Sequence, residues 1–91
     1  MSDRCEITVK IVNRLGLHAR PAMSFVDVAS TFASEVTVSK GDTSVDGKSI
    51  MQMMMLAASQ GTELRVAAAG ADAPACCAAL RKLVESGFDE E

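Results

Sequence analysis

Tryptophan and tyrosine are absent from this chain, phenylalanine occurs three times, and there is one histidine. No basic run with interleaved aromatics is present and the formal net charge is −3, which speaks against nucleic-acid binding. No apolar run is long enough to cross a bilayer, and Met1 to Ile7 is too polar for a signal peptide, so no membrane insertion is expected. Cysteine is scarce and odd in number: three, with Cys76 and Cys77 adjacent. That spacing fits neither a secreted disulfide framework nor a CxxC redox or metal motif, and a reducing, cytoplasmic setting is expected. Proline occurs only twice, and neither a linker nor an internal repeat interrupts the 91 residues. Such a length supports one modest core without disulfide staples. With 48% hydrophobic and 23% charged residues, the chain should be globular rather than disordered.

What is present falls into alternating periods. Cys5, Ile7, Val9 and Ile11 share one side of a segment whose other side holds Glu6, Thr8 and Lys10, which predicts a half-buried strand over 5–12. Ala22, Phe25, Val26, Ala29 and Ala33 recur at helical spacing, so an amphipathic helix is predicted over about 19–31. Val36 and Val38 alternate with Thr37 and Ser39, "KGD" marks a turn, and a short strand near Val45 pairs back. A short helix in "SIMQMMMLA" is broken by Gly61, and Leu64 and Val66 alternate in a fourth strand. A last helix follows, with Asp72 as its expected cap, Pro74 in its first turn and Ala73, Cys76, Cys77, Leu80, Leu83 and Val84 on its apolar face. The order β-α-β-β-α-β-α predicts an α+β fold, a largely antiparallel sheet with helices on one face.

The lone histidine lies in "LGLHARPA". Gly16 permits a sharp turn, and Pro21 fits only the first turn of a helix. If the helix begins just after His18, the imidazole stands at its N-cap, beside the unpaired N–H groups of Ala19 and Arg20 and the positive end of the dipole. Such a helix start suits a phosphate, and the Arg20 guanidinium can fork onto its oxygens. A neutral imidazole nitrogen is also a competent nucleophile near neutral pH. His18 could therefore carry a phosphoryl group. The same Gly, Arg and Pro could also do no more than start a helix.

"GLHARPA", followed some thirty residues later by "GKSIMQMMMLAASQGTEL", resembles the HPr family, the histidine phosphocarriers of the bacterial sugar phosphotransferase system. The resemblance covers nearly the whole chain and implies a single domain over 1–91. It implies an open-faced β-sandwich, a four-stranded antiparallel sheet covered on one face by three helices. His18 would be phosphorylated on Nδ1 by enzyme I and would pass the group to an EIIA-type acceptor, with Arg20 beside the phosphate. Such a protein is a stoichiometric carrier, not an autonomous enzyme, and a monomer is expected. No cofactor is implied, and no carboxylate pair or metal-ligand spacing accompanies His18.

The family also points to Ser49 in "GKSIM", the position that a dedicated kinase/phosphorylase modifies in many members. A serine there is equally a common helix N-cap, which requires no kinase. Ile50 and Met51 would, by resemblance, form the apolar pair that docks partners, bordered by Lys48 and Arg20. A helix this short cannot bury Ile50, Met51, Met54 and Met55 together. Cys76 and Cys77 are expected to divide between core and helix flank, and "FDEE" to form a solvated, frayed tail. A mainly regulatory phosphoprotein, a kinase target or a nitrogen-branch paralogue, is the alternative to a sugar-transport carrier.

Overall fold

A computed structural model describes residues 3–89. Its elements are β1 (Arg4–Lys10), α1 (Ala19–Ser30), β2 (Glu35–Lys40), β3 (Thr43–Asp46), α2 (Ile50–Met55), β4 (Glu63–Ala69) and α3 (Ala73–Glu85), closed by a 3-10 turn at Gly87–Asp89. The strands form one antiparallel sheet in the order β1-β4-β2-β3. Register follows from the period of two. Ile7 and Val38 both stand opposite Val66, while Thr8 and Ser39 flank Arg65 on the other face. Val9, Val36, Val38, Val45, Leu64, Val66 and Ala68 are buried, whereas Glu6, Thr8, Lys10, Glu35, Thr37, Glu63 and Arg65 are exposed. One face of the sheet is thus left open.

The helices cover the other face. From α1 come Ala22, Phe25, Val26 and Ala29, from α2 Met53, and from α3 Ala73, Cys76, Cys77, Leu80 and Val84, all within one continuous core. Two boundaries differ from the sequence reading. The first strand ends at Lys10, yet Ile11 stays fully buried because its backbone pairs outward, N–H to Thr62 O at 2.9 Å and C=O from Gly61 N–H at 2.7 Å. Ala33 lies beyond α1 and is exposed, so its helical spacing was a coincidence of composition.

Three further expectations are corrected. Cys76 and Cys77 do not divide between core and flank; both are buried. They can be neighbours and both inward because small thiol side chains fill the broad seam where α3 meets β1 and β4. Burial, followed by hydrogen bonding with the Cys5 thiol, pushes the Cys77 thiol up to about 12, and burial likewise raises Cys76. Phe88 is not part of a frayed tail. Gly87 takes a left-handed conformation (φ 71°) just past α3 and turns Phe88 back to a buried position, as a glycine at that point after a helix commonly does. Glu90 and Glu91 lie outside the described residues.

Asp72 makes no side-chain cap for α3. Its carboxylate reaches across the fold instead. Oδ2 accepts from Ala33 N–H at 2.8 Å, and Oδ1 accepts from Ser34 N–H at 3.0 Å and from the Ser34 hydroxyl. These charge-assisted bonds join the entrance of α3 to the entrance of β2, and a distant set of donors outcompeted the local amides. The Ser34 hydroxyl first, and then the Ala33 amide, hold the Asp72 carboxyl below its ordinary value of 3.8. A lowered pKa contributes stability above the unfolded-state value and loses it as the pH falls through the folded value. Asp72→Asn should therefore lower the melting temperature at pH 7, and the gap from the parent chain should close as the pH falls below 3.8 and through the lowered folded-state value. Thermal melts at a series of pH values check this; a gap independent of pH would assign the effect to shape instead of charge.

Candidate functional site

The turn that delivers the histidine is built before the helix begins. Asn13 is buried, and its Nδ2 donates to Gly16 O at 2.7 Å while Gly16 N–H returns to Asn13 O at 3.2 Å. Gly16 adopts φ 71°, and a Cβ there would lie 2.6 Å from Ala58 O and 2.9 Å from Ser59 Cα, so both its hand and its space require glycine. Leu17 is buried and donates its N–H to the same Ala58 carbonyl at 2.8 Å. The turn is thereby seated on residues 57–59, the segment leaving α2.

His18 follows as the N-cap of α1, in an extended conformation (φ −82°, ψ −171°), with its carbonyl accepting Ala22 N–H at 3.0 Å. The imidazole is half-buried and makes no cap bond to the helix. Ala19 and Arg20 open the helix and have no intrahelical acceptor for their N–H groups, while the next residue, Pro21, has no N–H at all. These amides and the positive end of a twelve-residue helix sit immediately beside the ring in sequence. The fold therefore keeps the predicted juxtaposition of His18, Ala19 and Arg20.

Arg20 is exposed and lines a concavity of about 520 Å³ together with Arg14, Leu15, Pro21, Ser24, Phe88 and Asp89. His18 is not among its walls. Arg14 was missed by sequence reasoning, although a second guanidinium four residues before the histidine was a visible signal. Asn13 was missed too; an Asn followed three residues later by Gly is a turn pattern that pointed to it.

Ser49 is the N-cap of α2, half-buried, with its Oγ accepting Gln52 N–H at 3.2 Å. The expected cap is present. Gln52 has a role that the sequence did not disclose: its Oε1 accepts Asp46 N–H at 2.9 Å, tying the end of β3 to α2. Lys48 turns its ammonium to Phe32 O at 2.7 Å, behind α1, so its charge is engaged by backbone. At the far end of α2, Lys40 Nζ donates to Leu56 O at 2.8 Å and Ala57 turns left-handed (φ 49°), which stops the helix and aims Ala58 at the histidine turn. Ile50, Met51, Met54 and Met55 are exposed, as is Met23 on the neighbouring α1; Met53 alone among the helix's residues is buried. Among the described residues no group of three or more His, Cys, Asp or Glu could hold a metal ion, and no helix is long and apolar enough to cross a membrane.

Comparison with known proteins agrees with this architecture over nearly its full length. The profile of the family described as "PTS HPr component phosphorylation site" matches residues 5–86. The phosphocarrier protein HPr of Neisseria meningitidis is 47% identical over 83 residues, covering 91% of this chain and 93% of that protein. The phosphocarrier protein NPr of Proteus mirabilis is 42% identical over 84 residues, 91% of this chain and 93% of that one. The crystal structure of an HPr from Thermoanaerobacter tengcongensis superposes with a TM-score of 0.92 at 46% identity, covering 96% of this chain and 98% of that chain. A helix that starts beside the only histidine, an open four-stranded sheet and these relatives together make the chain a member of the HPr phosphocarrier family.

Proposed function

We propose that this chain is a single-domain phosphoryl relay in the cytoplasm, with His18 as the residue that carries the group. The observation that carries this reading is the junction of His18 with the first turn of α1. There the ring precedes the unpaired amides of Ala19 and Arg20, and the Arg20 guanidinium is solvent-accessible. His18 Nδ1 attacks the phosphorus carried by phospho-enzyme I; a phosphorus–nitrogen bond forms while the donor's bond to phosphorus breaks. The helix N–H groups and Arg20 stabilise the anion during its stay. An EIIA-type domain then takes the group by the same displacement. Partial exposure of His18 supports access for both partners. Working as a monomer, the chain needs nothing from a second copy.

Docking in this reading falls to the apolar surface of α2. Ile50 and Met51 are its centre, and Lys48 keeps the turn before Ser49 in place through Phe32. Ser49 is the proposed regulatory site for an HPr kinase/phosphorylase. Its cap position already accepts a hydrogen bond from Gln52 N–H, and a phosphate there gains acceptor oxygens and charge at the positive end of α2. The likeness to an NPr favours a second reading, in which the chain serves a regulatory or nitrogen-branch relay with little part in sugar transport. Phosphoryl uptake from sugar-branch as against nitrogen-branch enzyme I separates the two.

Incubation with phosphoenolpyruvate and enzyme I, followed by phosphorus NMR, should give one acid-labile phosphohistidine. His18→Ala should abolish it while leaving the fold intact by circular dichroism; retained acid-labile phosphate would end the proposal. Arg20→Ala should slow uptake roughly tenfold, the scale of one charge-assisted hydrogen bond of about 1.5 kcal/mol. Incubation with the kinase and ATP should add a single phosphate, located on Ser49 by peptide mass spectrometry, and modification elsewhere would refute that assignment. Met51→Glu should weaken enzyme I binding measured by calorimetry, whereas unchanged affinity would remove α2 from the docking surface.

A further inference from the structure

Met51 and Met55 are 78% and 73% exposed, while Met53 between them is fully buried. Residues four apart share one face of a helix, so both thioethers stand over the same side of α2, and Met54, 44% exposed, lies beside them. An unbranched thioether in water is open to electrophilic oxygen donors such as hydrogen peroxide. A sulfur lone pair attacks one peroxide oxygen; the sulfur–oxygen bond forms as the oxygen–oxygen bond breaks. Sulfur gives up two electrons, and the departing hydroxide takes a proton and leaves as water. The product, a sulfoxide, is polar where the thioether was apolar.

We infer that Met51 and Met55 form a reversible oxidation site whose state controls docking on α2. In the thioether state the patch presents an apolar surface. In the sulfoxide state each side chain carries a strong acceptor that an apolar partner surface would have to strip of water without replacing its hydrogen bonds. The thiols are sheltered, Cys76 and Cys77 being buried and Cys5 half-buried, while the other exposed thioethers, Met23 at 50% and Met54 at 44%, are less open than Met51 and Met55. Buried Met53 supplies an internal reference within the same helix. Control of docking rests on the carrier reading above, whereas the modification does not, and the experiment reads them separately.

The full chain is treated with hydrogen peroxide and mapped by peptide mass spectrometry. One oxygen is expected on Met51 and on Met55 well before Met53; oxidation of Met53 as fast as Met51 overturns the site. Phosphoryl uptake from phospho-enzyme I is then measured over a range of carrier concentrations. Oxidised carrier should show a KM raised roughly tenfold with kcat little changed, restored by methionine sulfoxide reductase. An unchanged KM in doubly oxidised protein overturns the control of docking. The Met51→Leu/Met55→Leu variant is compared with itself before and after peroxide, and its KM should not move. A rise of similar size in that variant assigns the effect to another group and overturns the inference. Reduced parent chain that takes up no phosphate overturns the carrier reading and the control of docking with it, while the mass map still decides the modification.

Discussion

The carbonyl of Ala58 is the point on which the site depends. It accepts the Leu17 N–H, and the left-handed Gly16 lies against it so closely that no side chain fits. Everything on the histidine side is referred to this contact: the Asn13 bonds close the turn, the buried Leu17 side chain holds it down, and the next residue is His18 at the head of α1. Everything on the other side belongs to α2. The helix with the Ser49 cap ends at Leu56, Lys40 holds that residue's carbonyl, and Ala57 bends the chain so that Ala58 faces Gly16. The start of α1 is therefore tied to the segment leaving α2 by one backbone contact, though the two lie far apart in sequence.

The remainder of the fold holds that contact without intruding on it. The antiparallel sheet has one face committed to the helices and one to water, so the helix layer is positioned from below by Val9, Val38, Leu64 and Val66. Tethers at the opposite end of the molecule do similar work with polar groups. Asp72 gathers donors from Ala33 and Ser34, and Lys48 holds the Phe32 carbonyl, so the short passage from α1 to β2 is secured from α3 and from the turn before α2. Local disorder there would free the C-terminal end of α1; these bonds oppose it.

Much of this was legible in the sequence because it is periodic. Alternation in β1, β2 and β4, the apolar stripe of α1 and the Gly-Leu-His-Ala-Arg-Pro junction each follow from a local rule, and the family motif extended them to the topology. The misreadings arise where tertiary contacts or a single backbone conformation override the local pattern. Asp72 looks like a cap because local amides are close in sequence, but Ser34 supplies three-dimensional competition that no window of residues contains. Cys76 and Cys77 cannot both face inward on a thin helix stripe, yet the seam against β1 is wide enough for both. Phe88 opens an acidic run that reads as a solvated tail, but the left-handed Gly87 before it decides its direction. Asn13 and Arg14 take their roles, a buried turn bond and a wall of the concavity beside Arg20, only from the folded turn, which no periodicity marks.

Pro21 gives this design a further consequence. By occupying the third helical position it deletes the donor that an ordinary first turn would have offered, so an anion at this junction finds a shallower electrostatic well than at the head of a helix without proline. For the relay proposed at His18, a shallow well would favour turnover over storage: bound charge would be steadied during encounter, with little free energy forfeited when it departs.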